Sequence, residues 1–131
     1  MEPNTPTAIV LAWQEAVNQK DSERLLALSD SNIEIVGPRG SAYGHDILRD
    51  WLGRAGLSMR SQRLYANGDT VVTAGHGVWR SVETGDLIGE AKIASHFRVK
   101  DQQVNYYARY DALTDALNAA GLTEADAQPL P

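Results

Sequence analysis

Between Met59 and Asp111 the chain shows no helical period, and this stretch limits the fold more than any other. Four strand-like runs follow one another: Met59 to Ala66, Thr70 to Ser81, Ile88 to Lys100 and Val104 to Asp111. Only short turns separate them, at Asn67-Gly68, at Thr84-Gly85-Asp86 and at Asp101 to Gln103. Asn-Gly is a strong hairpin signal, and strands joined so tightly must pair antiparallel. Gly75 and Gly77 inside the second run mark points of bend or bulge.

Upstream the period changes. Thr5 can cap a helix that begins at Pro6, and Ile9, Trp13 and Val17 recur every four residues along it. Asp21 caps a second, short helix carrying Leu25, Leu26 and Leu28. Ile33, Ile35 and Val36 make Asn32 to Gly37 a strand. Gly40 to Gly44 reads as a loop. A third helix starts near His45, puts Ile47, Leu48, Trp51, Leu52 and Ala55 on one face, and ends at Gly56. A last helical turn or two spans Ala112 to Ala120, and the tail from 121 to 131 is expected to be flexible.

Helices with apolar stripes and a long antiparallel sheet must bury each other. A strongly bent sheet wrapped around the N-terminal helices does so. The expected class is therefore α+β: a curved, mainly antiparallel sheet around the N-terminal helices, a cone-shaped α+β barrel with an internal pocket. The 131 residues fit one domain with a core of about residues 6–118, and the composition (43% hydrophobic, 22% charged) suits an ordinary core. The net charge of -5 and the lack of a basic run argue against nucleic acid. With no cysteine, thiolate chemistry and disulfides are excluded. No apolar run is long enough to span a membrane, and the N-terminus does not read as a signal peptide, so a soluble cytoplasmic protein is expected. The three histidines lack zinc-site spacing, and neither metal nor cofactor is expected.

Helix 1 with Asn18 to Asp21, Leu25 to Leu28, a strand ending Gly37-Pro38, and the final hairpin Ser95-His-Phe-Arg-Val-Lys-Asp-Gln-Gln-Val-Asn-Tyr-Tyr-Ala-Arg-Tyr-Asp111 carry a resemblance. The chain resembles the nuclear transport factor 2-like superfamily, in its SnoaL-like and ketosteroid isomerase-like branch, over about residues 6 to 118. The isomerases place a general-base aspartate where this chain has Gly37 and an oxyanion-donor tyrosine where it has Trp13. Their second acid falls near Ser95. Without a carboxyl at Gly37, isomerisation by that apparatus is not expected. SnoaL-like cyclases use an aspartate on a late strand, a place that Asp111 could take.

Alternation sorts the last hairpin into two faces. The resemblance turns Ser95 inward, and with it Phe97, Val99, Tyr107, Arg109 and Asp111. His96, Arg98, Tyr106, Ala108 and Tyr110 then face out. Arg109 can bind a carboxylate or carbonyl oxygen with Asp111 as general base, or the two can form a salt bridge at the pocket mouth. His76, inward if Val72, Ala74 and Val78 are, is a candidate partner for Asp111, as is Tyr107 as proton donor. Trp13, Trp51, Tyr43 and Tyr65 can line a pocket for a small apolar or aromatic molecule, or simply be core. Tyr106 and Tyr110 suggest that a second copy covers the outer sheet face, giving a homodimer. Two functions stay open: a cofactor-independent cyclase, isomerase or lyase, and a non-catalytic binding or assembly module.

Overall fold

Local grammar sets the helices. The Ala8 N–H donates to Thr5 Oγ1 at 3.1 Å, opening α1 (Pro6–Asn18), and Arg24 N–H donates to Asp21 Oδ1 at the head of α2 (Ser22–Ala27). The computed structural model describes residues 5–37 and 40–130. After α2 come β1 (Ser29–Gly37), β2 (Gly40–Tyr43), α3 (His45–Ala55), β3 (Leu57–Asn67), β4 (Thr70–Arg80), β5 (Leu87–Lys100), β6 (Gln103–Tyr110), α4 (Leu113–Ala120), a 3-10 turn (Glu124–Asp126) and β7 (Ala127–Gln128).

The strands form one seven-stranded sheet in the order β2-β1-β6-β5-β4-β3-β7. Every neighbouring pair is antiparallel except β1 and β6, which run parallel. One face of the sheet receives α1, α2 and α3 in a core of Val10, Trp13, Leu25, Ile33, Leu48, Leu64, Val71 and Phe97. The other face carries α4, with Ala116 and Leu117 against Tyr65, Val72 and Ala94.

A bulge in β3 at Ser61/Arg63 helps the sheet bend. Opposite it, a Cβ on Gly75 would stand 1.9 Å from the Arg60 carbonyl oxygen, so only glycine permits this approach. Among the described residues, the outer edge of β3 from Leu57 to Arg63 has no strand partner, since β7 pairs only with Leu64 and Tyr65. Side chains of the α1 end serve it instead. Met59 N–H donates to Asn18 Oδ1 at 2.7 Å, Asn18 Nδ2 donates to the Met59 carbonyl at 2.9 Å, and Lys20 Nζ donates to the Leu57 carbonyl. The open edge is thereby blunted against a foreign strand.

Three expectations change. Gly40 to Tyr43, expected as loop, pairs with β1, because a neighbouring strand supplies the partner that four small or polar residues could not announce. The segment after Gly121 is seated: Leu122 is buried, Thr123 and Asp126 form a capping box, and β7 pairs with β3. On β4 the inward set is Val71 and Thr73, while Val72 and Ala74 face α4. His76 therefore points outward, since a one-residue change of parity swaps every side chain.

His96 also faces outward, opposite Val72 and Ala108, yet it is only 1% exposed. Neither ring nitrogen has a hydrogen-bond partner among the described residues. Burial, helped by the charge of Arg98, brings its pKa down to about 4. The unfolded chain binds this proton near the ordinary value of about 6.5. Between those values the unfolded state takes up more protons, so stability falls as pH falls through that window. The loss attributable to His96 should be on the order of 2 kcal/mol. Urea unfolding at pH 7.0 and 4.5 should show a smaller acid loss for His96→Leu than for the unsubstituted protein; equal losses would refute it.

Candidate functional site

The interior of the cone is occupied by aromatic rings. Trp13 is fully buried, and its indole N–H donates to Ser29 Oγ at 2.9 Å, which in turn donates to the Leu25 carbonyl at 2.7 Å. The Trp13 ring stacks on Trp51 with centroids 6.2 Å apart, meets Phe97 edge-on at 5.3 Å and lies tilted against Tyr107 at 5.0 Å. Four side chains from α1, α3, β5 and β6 thus plug the hollow, and the Trp13 donor is already spent. A ligand can reach only what lies above the plug.

Above it is a cleft of about 510 Å³. Ile35, Trp51, Leu57, Trp79 and Tyr107 make its walls apolar, and Arg109, Asp111 and Asp115 bring charge to it. Parity along β6 explains the set. Tyr107 and Arg109 share the inward face, and Asp111 follows where the strand ends. Asp115 comes from the first turn of α4.

Arg109 is exposed at the cleft, its guanidinium carbon 5.0 Å from the centre of the Trp79 ring. It forms no ion pair with Asp111. Tyr107 is 3% exposed. Burial pushes its phenol up to about 12, against the opposing pull of the Arg109 charge and of a hydrogen bond with the Ser95 side chain. At neutral pH Tyr107 is therefore a proton-bearing donor, never a base. Ser95 is buried beside it, across from Arg109 in the β5–β6 register. Phe97 belongs to the plug.

The other candidates stand elsewhere. Tyr43 is 61% exposed on the edge strand β2 and does not line the cleft. His76, on the outer face, has Nε2 2.7 Å from Glu90 Oε1 and borders a separate depression with Arg60 and Gln62. The structure thus joins Asp111, Arg109, Tyr107 and Trp51 around one space and leaves His76 out of it. No group of three metal-ligating side chains occurs among the described residues.

Among the lining residues that sequence reasoning missed, Trp79 and Asp115 are the informative ones. Trp79 follows Gly77 by two positions, so the correct parity of β4 would have turned it inward. Asp115 had no local signal, because its place depends on where α4 docks.

A nuclear transport factor 2-like fold is shared with solved structures. A protein of that fold from Cytophaga hutchinsonii has a TM-score of 0.70 at 13% identity, covering 85% of this chain and 93% of the other. TerC, crystallised with polyporic acid, has a TM-score of 0.70 at 19% identity, covering 91% and 98%. An LEH-like epoxide hydrolase of M. tuberculosis has a TM-score of 0.67 at 20% identity, covering 92% and 89%. At such identities these likenesses establish the fold alone. The family model of the SnoaL-like domain matches residues 10–107, and the chain belongs to that family. No curated protein matches it in sequence. No helix among the described residues is long and apolar enough to cross a membrane.

The plug and the cleft rim should separate cleanly in stability. Trp13→Ala empties the plug and removes the donor to Ser29 Oγ, and should cost about 3–5 kcal/mol in urea unfolding. Asp111→Asn, at an exposed position, should stay within about 0.5 kcal/mol of the parent. A large loss for Asp111→Asn would mean that its carboxylate is structural.

Proposed function

We propose that this domain binds a small, flat, mainly apolar molecule with an oxygen function, lying in the cleft with that oxygen at Arg109. The observation that carries this is the convergence of one guanidinium, one proton-bearing phenol and several apolar side chains on a single space. Trp51 and Leu57 supply surface on which an apolar ring loses water. Arg109 supplies charge-assisted hydrogen bonds to a carbonyl or carboxylate. Tyr107 lines the same space, and its phenol O–H is a donor for a small ligand oxygen.

A cofactor-independent enzyme is the second reading, and Asp111 favours it, since its carboxylate lines the same cleft. Asp111 would remove a proton from the ligand while Arg109 held the developing oxyanion and Tyr107 donated to it. The filled interior and the distance of His76 from this group favour binding without chemistry. A homodimer through the outer sheet face belongs to the same proposal. There α4 covers Tyr65, Val72 and Ala94, and Tyr106 with Arg98 stacked on it at 4.8 Å remains beside them.

Binding of a panel of aromatic ketones and acids, followed by calorimetry, tests this. Arg109→Met should weaken the tightest binder by roughly tenfold or more, the effect of losing a charged hydrogen bond. Unchanged affinity would remove Arg109 from the site. If the bound compound is also converted, Asp111→Asn should abolish turnover while binding persists; retained turnover would leave the binding module as the function.

A further inference from the structure

Arg109 ends in a long, flexible side chain at an exposed position, and such a group ordinarily samples many rotamers. Here its guanidinium carbon lies over the Trp79 indole, 5.0 Å from the ring centre. Trp79 is held in its turn. It stands two residues beyond Gly77 on β4, and its ring runs back along the strand across that glycine. A Cβ placed on Gly77 would lie 3.1 Å from Trp79 Cη2 and 3.0 Å from Ile93 Cδ1. Both contacts are tighter than a side chain comfortably tolerates, so a larger residue would take the floor on which the indole rests. Gly77 has no positive φ to explain it. What its bare backbone provides is room.

We propose that Gly77 and Trp79 are positioning residues that fix the N–H edge of Arg109 toward the cleft and thereby set its selectivity for a planar organic anion of single negative charge. This rests on the cleft being a ligand site. Stacking occupies the π face of a guanidinium and leaves its in-plane donors for a carboxylate, a division of labour open to arginine and closed to lysine. Trp79 thus spares the ligand the entropy of ordering that side chain. The charge limit comes from the rim. Asp111 and Asp115 line the same cleft. One negative charge on the ligand is matched by Arg109, whereas a second would face two carboxylates without a further cation among the lining residues.

Three naphthalene probes test this: 2-naphthoate, the neutral isostere 2-naphthamide and 2,6-naphthalenedicarboxylate. Their affinities are measured by calorimetry on the parent, Trp79→Ala, Trp79→Phe and Gly77→Ala. Proton NMR of the ligand-free proteins adds an independent readout, because an indole under Arg109 shifts its δ-methylene protons upfield. The parent should show that shift, and should prefer naphthoate to naphthamide by about tenfold and to the dicarboxylate as well. Trp79→Ala should lose the shift and most of the preference for naphthoate over naphthamide. A packing role alone would weaken both probes equally and leave their ratio unchanged. Trp79→Phe, which keeps a ring, should restore much of the ratio. Gly77→Ala should reduce both ratio and shift partially, and it carries the test if Trp79→Ala does not fold. An unshifted Arg109 in the parent, or a parent-like ratio in Trp79→Ala, would overturn the positioning role. Dicarboxylate binding as tight as naphthoate would overturn the charge limit. A shifted Arg109 in a parent that binds none of the probes would instead sink the ligand site, and the selectivity with it.

Discussion

The burial of the Trp13 indole is the interaction on which the rest of the molecule depends. The ring belongs to α1, its hydrogen-bond acceptor to β1, its stacking partner to α3 and its edge contacts to β5 and β6. A single side chain thus ties α1 to four other elements that are distant from it in the chain. Aromatic burial supplies the largest apolar area any residue can offer, and the Ser29 hydroxyl removes the penalty of a buried N–H. Helix, sheet curvature and strand order are consistent with one another because they meet at this ring.

The same packing decides which side chains line the cleft. A cone of this kind has a hollow, but here Trp13, Trp51, Phe97 and Tyr107 occupy it. What remains is a cleft at the mouth, walled by the upper surfaces of Trp51 and Tyr107 and by Trp79. The charged groups there, Arg109, Asp111 and Asp115, sit at the exposed rim. Burial raises the Tyr107 pKa and keeps its phenol protonated, while Arg109, Asp111 and Asp115 stand exposed around it.

Polar ties tune the frame around this core. Gln14 donates to Thr73 Oγ1 and accepts from Ser61 Oγ, linking α1 to β4 and β3 across the concave face. Asn18 and Lys20 satisfy the open edge of β3. His96 is an exception, a buried imidazole whose nitrogens bond to no described residue. Burial lowers its pKa, whereas the cleft face is not built around a histidine.

Much of the architecture was legible in local chemistry. Caps at Thr5 and Asp21, the stops at Gly56 and Gly121, and the turns at Asn67-Gly68 and Asp101 need only neighbouring residues to act, so the order of helices and long strands could be read directly. The alternation that places Ser95, Phe97, Tyr107 and Arg109 together is likewise a two-residue period. Parity on β4 was not legible, since Val71 and Val72 are equally apolar and both faces of the sheet are covered, one by α1 and the other by α4. The pairing of β2 and β7 depended on strands brought beside them from elsewhere. The cleft was legible only in part. Arg109 and Asp111 announced themselves by spacing, but the exclusion of His76, the stacking of Arg109 on Trp79 and the arrival of Asp115 are consequences of which face each strand turns and where α4 docks. Local interactions determine elements, and long-range packing alone determines which of their side chains share a space.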